Sequence, residues 1–540
     1  MITSKKIKVL TLAAAALAAV SLAGCGSESS SGQNKGNKNV TIAMTSAWAS
    51  ANPYGANGNY TALVQDQIYD RLWIDKFDGS VLPRLAESYE VAADHASMTV
   101  HLNPKAKFTD GKPVTADDVV FSAQLVTNPK FNAAHRSDFK YVQGTSAGGV
   151  AQDPSALGFT KIDDHTIKIT FKNPMNELPI LTNMNRYFFI VPQHIYGSKT
   201  IEELNNADVW KQNWIGSGPF KCVSQVDGER VEYERNDDYF LGKPDIEKLT
   251  IRVMPATNLL AGLQSGEVDI LAGGGIGGLP IPDYEAASED KNLKVESVPN
   301  YGYQAMIFNT QSPRVINPKV RLGISTAIDR KAIVDNLLKG HGEVIYAPYS
   351  DKHPFVDESK LTLPVYNPEK AKQLLEEGGF DFNQPLDLIV PTGNEVRIQS
   401  TVLIQQDLEK IGVKTNITQY DFSTLMDKMR KGEFDLGMCG AAGTLDPSNP
   451  TWMIAGVKNN FTNVPDDRYS KLYAEAAKEV DLDKEKAAFN NVWQFIIDDA
   501  PIAYLYSNDS LVAYNKNRLD NIDPSLFEQV NWNTASWKVK

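Results

Sequence analysis

Cysteine and histidine are scarce in this chain, with 3 cysteines and 7 histidines among 540 residues. No His-Glu-x-x-His or Cys-x-x-Cys motif occurs, so the spacing that metal sites use is missing, and we predict neither a metal nor a cofactor. A chain of this length buries its own core without a disulfide framework. Cys222 and Cys439 lie far apart in the sequence, and we expect both to be buried free thiols.

The chain also lacks the motifs of catalysis. The glycine loop at 216–219 ends in Pro219, which leaves no room for the strand-to-helix elbow of a serine hydrolase. The glycine-rich segment 273–278 is followed by Pro280, which argues against the helix that a dinucleotide site requires. Acid pairs such as Asp117-Asp118 are explained by capping or solvation. We therefore predict a protein that is not an enzyme.

Long apolar runs are missing except for one short stretch at 9–23. It is too short for a transmembrane helix, which needs about 20 apolar residues. It follows a lysine-rich start and ends in the sequence LAGC at 22–25, which resembles a lipobox. We predict a lipoprotein signal peptide at 1–24, lipidation of Cys25 and a flexible polar tether at 25–39. The rest of the chain would lie outside the cytoplasm, anchored to the cell membrane by lipid.

Positive charge is in deficit, and the formal net charge is −12. Nucleic acids and anionic lipid surfaces attract basic proteins, so we predict no nucleic-acid partner and no electrostatic adhesion to membranes. The net negative charge alone does not identify a ligand. A hydrolase or an adhesin would be the alternative from another class, but a hydrolase would need an activated nucleophile or paired acids, and neither occurs at a recognisable spacing.

Helical and alternating patterns follow one another, which is typical of an α/β protein. Thr115 with Asp118 three residues later predicts a helix start, and Asn-Pro pairs at 317–318 and 367–368 predict two more. The pattern predicts strands at 39–44, 98–102, 167–171, 413–417 and 434–438, and helices at 63–72, 395–411 and 422–430. Over 500 residues organised in this way predict two lobes.

Aromatic and amide side chains cluster in loops next to predicted strand ends, where ligand sites of α/β proteins lie. One group follows the first strand, a second lies where the first lobe gives way to the second, and a third surrounds a proline-rich loop. The candidate ligand-binding residues from these groups are Trp48, Asn52, Tyr54, Tyr301, Tyr303, Gln304, Asn309, Asp446 and Trp452. Each single ring also suits core packing; as a set, we expect several to line a cleft.

Six segments in this order and spacing carry a resemblance that covers nearly the whole mature chain. They are LAESY at 85–89, FTDGKPVTADDV at 108–119, GSGPF at 216–220, RNDDYFLGKP at 235–244, LQSGEVD at 263–269 and VRLGISTAIDR at 320–330. In these segments the chain resembles the bacterial extracellular solute-binding proteins of family 5, the oligopeptide, dipeptide and nickel type.

The resemblance implies a two-lobed α/β fold of the periplasmic-binding-protein type II (Venus flytrap) class with an extra subdomain in the first lobe. Lobe I would comprise 40–303 plus 507–540, with the subdomain at about 60–192, and lobe II would comprise 304–506. It also implies a monomer that closes on its ligand by a hinge motion and delivers the ligand to the transmembrane subunits of an ABC permease.

Peptide carriers of this family bind peptides in an extended form, mostly through main chain, which implies walls at 302–309 and 437–442 and adds Cys439, Gly440 and Ala441 to the candidate site. Many hold the ligand ammonium with an Asp-x-x-Asp-Pro pattern; here Gly443 stands at the first Asp, ahead of Asp446. We expect Gly443→Asp to strengthen binding of peptides with a free N-terminus. An oligosaccharide or other small solute, with the sugar faces stacked on the aromatic rings, is the alternative ligand. Nickel, which carriers of this family can bind as a chelate, or haem is the third.

Overall fold

The structure is a computed structural model that describes residues 37–540 apart from 49–50, 56–57, 77, 213, 300, 449–451, 457–458 and 525–529. Residues 38–540 form one compact unit. The predicted signal peptide and the predicted lipidation site Cys25 lie outside the described residues. Within the described part, no helix has the length and apolarity that crossing a bilayer requires.

The described residues contain the following strands, numbered in chain order. They are β1 (Asn39–Met44), β2 (Trp73–Asp75), β3 (Val81–Pro83), β4 (Ala86–Val91), β5 (Ser97–Leu102), β6 (Phe159–Asp163), β7 (Thr166–Thr170), β8 (Phe220–Val226), β9 (Arg230–Arg235), β10 (Lys248–Val253), β11 (Ile270–Leu271), β12 (Leu293–Val298), β13 (Tyr303–Phe308), β14 (Gly342–Val344), β15 (Leu386–Pro391), β16 (Thr415–Tyr420), β17 (Leu436–Ala441), β18 (Ile502–Asn508), β19 (Ser510–Asn515), β20 (Leu519–Asp520) and β21 (Lys538–Val539).

The α-helices are numbered in the same way. They are α1 (Asn59–Gln65), α2 (Ala116–Thr127), α3 (Gln193–Tyr196), α4 (Ile201–Leu204), α5 (Ala207–Lys211), α6 (Leu259–Ser265), α7 (Gly274–Gly277), α8 (Tyr284–Glu289), α9 (Pro318–Thr326), α10 (Arg330–Leu337), α11 (Pro368–Glu377), α12 (Glu395–Lys410), α13 (Phe422–Lys431), α14 (Arg468–Ala476) and α15 (Leu482–Asp499).

The first lobe is built around a sheet with the strand order β12-β19-β11-β1-β10-β9-β8. Strand β1 runs parallel to β10 and β11, whereas β19, from the end of the chain, runs antiparallel to β11 and β12. A second sheet of the order β4-β5-β7-β6 belongs to the same lobe, because its inward side chains share one hydrophobic cluster with those of β1 and β10. This smaller sheet is the core of the added subdomain.

The second lobe is built around a sheet with the strand order β14-β18-β13-β17-β15-β16. Strand β13 runs antiparallel to β18 and β17, and β15 runs parallel to β16 and β17. The chain passes from the first sheet to the second between β12 and β13, and it returns through Asp509 between β18 and β19. Two crossovers of this kind join two lobes, so the predicted two-lobed fold with its added subdomain is confirmed.

Helix starts follow the predicted capping chemistry. The Asp118 carboxylate accepts a hydrogen bond from the Thr115 N–H at 2.8 Å, and a capping box opens α2. Asn317 and Asn367 cap α9 and α11, each followed by a proline in the first turn. The apolar spacing after Pro318 does not continue in one helix, because Asp329 starts α10 by accepting a hydrogen bond from Ala332 N–H.

The helix predicted at 63–72 is wrong in its extent, because α1 ends at Gln65. The backbone beyond it hydrogen-bonds to the glycine loop at 216–220 instead of continuing the helix: Gly218 N–H donates to the Ile68 carbonyl at 2.8 Å. A Cβ at Gly216 would lie 2.0 Å from that same carbonyl oxygen, so this close approach requires glycine. The strand predicted at 413–417 is also shifted, since β16 begins at Thr415.

Candidate functional site

Two of the predicted segments are neighbours at one edge of the second-lobe sheet. Strand β13 begins where β17 ends, so that Tyr303 lies opposite Ala441 and Gln304 lies opposite Gly440. Strand β17 pairs with β15 only as far as Gly437 and continues to Ala441. The last residues of β17 therefore extend beyond their parallel partner, next to the crossover between the lobes.

Less backbone is available to a ligand along the predicted wall at 302–309 than the sequence suggests. Strand β13 is flanked by β18 and β17, so sheet pairing already occupies the backbone along most of 302–309. The Asn309 amide lies past the far end of β13, where it donates to the carbonyls of Gly432 and Phe434, each at 3.0 Å. Asn309 thus fixes the loop before β17 and does not join the other candidates.

Aromatic candidates on this edge do meet. The ring centroids of Tyr303 and Trp452 are 5.9 Å apart in an edge-to-face arrangement, and Tyr303 makes a second such contact with Tyr504 at 5.1 Å. Tyr303 is only 4 % exposed, so its ring is core packing behind the edge, whereas Trp452 is half-buried. Trp452 has a φ of 68°, and its carbonyl accepts a hydrogen bond from the Thr462 hydroxyl at 2.9 Å.

Arg397 is a cation at this edge that sequence reasoning missed. It lies in the first turn of α12, and its Nε donates to Gln304 Oε1 at 2.7 Å. Burial raises the pKa of the Cys439 thiol, and the nearby guanidinium lowers it by a smaller amount.

The side chain of Cys439 is 2 % exposed, as expected, whereas Cys222 is only half-buried; both are free thiols.

The loop candidates of the first lobe do not join this edge. Tyr54 makes edge-to-face contacts with Phe131 and Trp210, and its hydroxyl donates to the carbonyl of Phe189. Asn52 accepts a hydrogen bond from the Tyr54 N–H at 3.0 Å. Tyr54 and Trp48 belong to the hydrophobic cluster of the first lobe, at 4 % and 7 % exposure. The physical reason is that burying these large rings stabilises the loop after β1.

The backbone geometry at Gly443 contradicts the expectation for Gly443→Asp. A Cβ at this position would lie 2.0 Å from the Tyr301 carbonyl oxygen and 2.2 Å from its carbon. Tyr301 is itself fixed by edge-to-face contacts with Tyr349 and His353, at 6.5 and 4.6 Å between ring centroids. A carboxylate cannot be added here without moving the crossover segment, so the substitution would disturb the site instead of improving it.

Asp446 is the predicted residue with the most informative contacts, because it joins the two lobes. Its Oδ2 accepts hydrogen bonds from the Tyr141 hydroxyl and from Asn183 Nδ2, each at 3.0 Å. Its Oδ1 accepts the Ser448 N–H at 2.8 Å. Tyr141 and Asn183 belong to the subdomain of the first lobe and Asp446 to the second, and Asp446 is 1 % exposed. The lobes are therefore closed upon each other at this point.

A second buried contact between the lobes lies beside Asp446. Asn176 Nδ2 of the first lobe donates to Glu485 Oε2 on α15, and the two residues are 6 % and 4 % exposed. Burial and then the nearby Asp446 charge raise the pKa of Glu485 to about 8. A cavity of about 520 Å³ adjoins these groups and is lined by residues of both lobes. Lys140, Lys172, Lys478, Tyr141, Asn176, Asp446 and Glu485 are among the lining residues.

No local pattern identifies these partners. Tyr141 and Asp446 are 305 residues apart, and Asn176 and Glu485 are 309 apart. Only the folding of the subdomain against the second lobe brings them together. Within the described part of the chain, no group of three His, Cys, Asp or Glu side chains is placed to hold a metal ion.

The raised pKa of Glu485 predicts a pH dependence. Because the folded protein holds this proton more tightly than the unfolded chain, its contribution to stability is complete below the ordinary pKa near 4.5 and is lost as pH rises through about 8. We expect the melting temperature of the wild type to fall between these values by more than that of Glu485→Gln, which cannot ionise. Glu376→Gln, at an exposed position on α11, is the control. Equal pH slopes in wild type and Glu485→Gln would contradict the assignment.

Comparison with known proteins identifies the family that this chain matches. The family model described as "Bacterial extracellular solute-binding proteins, family 5 Middle" matches residues 80–462. The oligopeptide-binding protein AppA of Bacillus subtilis is 28% identical over 452 residues, covering 80% of this chain and 79% of AppA. The heme-binding protein A of Haemophilus influenzae is 27% identical over 464 residues, covering 82% of each chain.

The fold has a close counterpart among solved structures. The crystal structure of the ABC transporter substrate-binding protein CtaP of Listeria monocytogenes superposes with a TM-score of 0.81 at 23% identity. The superposition covers 93% of this chain and 99% of CtaP. At this identity the likeness concerns the fold, and it agrees with the two lobes described above.

Proposed function

Because the chain belongs to family 5 of the bacterial extracellular solute-binding proteins, we propose that it captures extracellular oligopeptides between its two lobes and delivers them to the permease of an ABC importer. Family members are extracytoplasmic binding proteins, and relatives of this chain are named for the solutes they bind. A binding role without chemistry agrees with the scarcity of catalytic motifs in the sequence. The protein acts as a monomer in this proposal.

The observation that carries the proposal is the end of β17, which extends beyond its pairing with β15. Gly437 is the last residue of β17 that pairs with β15. The strand continues for four more residues, at the edge that faces the crossover between the lobes. An extended peptide adds to such a segment through main-chain hydrogen bonds, which give affinity with little side-chain selectivity. Gly440 and Ala441 would supply the backbone, with Gln304 and Trp452 beside them.

Two further parts of the proposal concern the lobes and the anchor. We place the lobe boundaries at the two crossovers, within two residues of the predicted ones: 40–302 and 509–540 form lobe I, with the subdomain at about 60–192, and 303–508 form lobe II. The lipobox at 22–25 supports cleavage before Cys25 and lipidation of its thiol, which would hold the binding domain at the outer face of the cell membrane through the polar tether that precedes β1.

A second ligand class stays open within the same family. One of the relatives is named for heme and not for peptides, which supports a solute other than a peptide. Nickel or haem ranks third in this proposal, after an oligosaccharide. The half-buried Trp452 would then stack on the ligand.

Native mass spectrometry of residues 26–540, purified from cells without refolding, tests the proposal. We expect a mass above that of the chain, and a ladder of short peptides after denaturation, because closed lobes retain their ligand. The matched control is Ala441→Pro, which places a ring and no N–H on the β17 end and should reduce the occupancy. Released hexose-spaced masses would contradict the peptide proposal and favour the alternative.

A further inference from the structure

The Asp446 carboxylate accepts hydrogen bonds from protein groups at both of its oxygens in the closed structure. Three hydrogen-bond donors reach it, two from the first lobe and one from its own loop. Tyr141, one of the donors, is also hydrogen-bonded to the Ser448 hydroxyl at 2.8 Å, which fixes the ring against the same loop. A carboxylate held in this way has little acceptor capacity left for a ligand.

The surroundings of Asp446 also disfavour a ligand ammonium. Lys140 and Lys172 line the cavity next to it, and their positive charges repel a second cation. Gly443 cannot carry a second carboxylate, because the Tyr301 backbone occupies the space of a Cβ. The donors on Asp446 are neutral groups that occupy its lone pairs, so a ligand ammonium would have to displace one of the contacts that join the lobes.

Opening the lobes would remove the Tyr141 and Asn183 donors from Asp446 together. A buried carboxylate that loses its donors must be solvated again, so the closed arrangement depends on these contacts. Asn176 and Glu485 add a hydrogen bond across the same interface. The cluster thus acts on closure and not on one particular group of the ligand.

Resting on the proposed function, we propose that Asp446 closes the lobes around the ligand and that binding therefore does not require a free ammonium group. Ligands with a blocked or uncharged end, such as N-acylated peptides, are taken as readily as those with a free amine. Asp446 is a positioning residue in this proposal, and selection occurs elsewhere along the cleft.

Two variants separate closure from ammonium binding. Asp446→Asn removes the charge, and Tyr141→Phe removes one donor from the other lobe without altering the carboxylate. The probes are a random-sequence library of short peptides and the same library after N-acetylation, with bound fractions measured by native mass spectrometry. We expect both variants to weaken both libraries by the same factor, about tenfold, which corresponds to about 1.4 kcal/mol. We also expect small-angle X-ray scattering to give a larger radius of gyration for the ligand-free variants than for the ligand-free wild type.

A selective loss of the free-amine library in Asp446→Asn, with Tyr141→Phe unchanged, would overturn the proposal while leaving peptide binding intact. Should Asp446→Asn fail to fold, the comparison of the two libraries on Tyr141→Phe and wild type still decides. Failure of wild type to bind either library would refute peptide binding instead. The scattering measurement would then decide the role of Asp446, since an unchanged radius of gyration in both variants would overturn it.

Discussion

Gly443→Ala is expected to unfold at a clearly lower temperature than wild type and to lose ligand binding. The added Cβ would meet the carbonyl oxygen of Tyr301 at 2.0 Å and the Tyr301 Cβ at 2.3 Å. Neither is the flexible end of a side chain, so the loop or the crossover segment must shift. Overpacking of this kind costs about 1–3 kcal/mol and sometimes more. Because Tyr301 lies in the crossover between the lobes, the same shift displaces the closure contacts of Asp446.

Gly275→Ala is the matched control, since a Cβ there has no neighbour within 4 Å and Gly275 lies in the short helix α7. Differential scanning calorimetry and the peptide-library assay measure the two effects. Gly443→Asp should be at least as damaging as Gly443→Ala. A Gly443→Asp variant with wild-type stability and a gain for free-amine peptides would show that the loop has room for a carboxylate.

Cys25→Ser is expected to move the protein almost entirely from the membrane fraction to the soluble or secreted fraction. Buried acyl chains contribute about 0.8 kcal/mol per CH₂ to membrane binding, and the variant cannot be acylated. No other described segment is apolar enough to replace the anchor as a transmembrane helix. Fractionation followed by immunoblotting measures the distribution.

Cys222→Ser serves as the control for the loss of a thiol, because Cys222 lies in β8 and its position is unrelated to the lipobox. It should fractionate as wild type does. Membrane retention of Cys25→Ser would mean that the protein is held by something other than a lipid on this residue, and the lipoprotein proposal would fall.

Much of the fold was predictable from local chemistry. The capping pair at Thr115 and Asp118 and the Asn-Pro helix starts act within one turn, so they are present in the sequence and in the structure alike. The extent of α1 was not predictable, because the backbone after Gln65 is hydrogen-bonded to a loop about 150 residues later in the chain.

Of the candidate site, local patterns indicated Gln304, Asp446 and Trp452, and the family resemblance added Gly440 and Ala441. The structure places all five beside the crossover or between the lobes. The sequence could not separate them from Tyr54 or Asn309, because an aromatic ring or an amide near a strand end has the same local pattern whether it packs in a core or faces a cleft. Burial against distant side chains makes that distinction.

Some properties of the chain depend only on residues within a few positions of each other and could be interpreted directly. They are the predicted lipobox, the helix caps, the alternation of strands and helices and the family motifs. The role of Asp446 and the exclusion of a side chain at Gly443 depend on Tyr141, Asn183 and Tyr301, which reach these positions only when the lobes meet. Hydrogen bonds and steric contacts act over a few ångströms, and the folded chain alone brings residues from opposite ends of the sequence within that range.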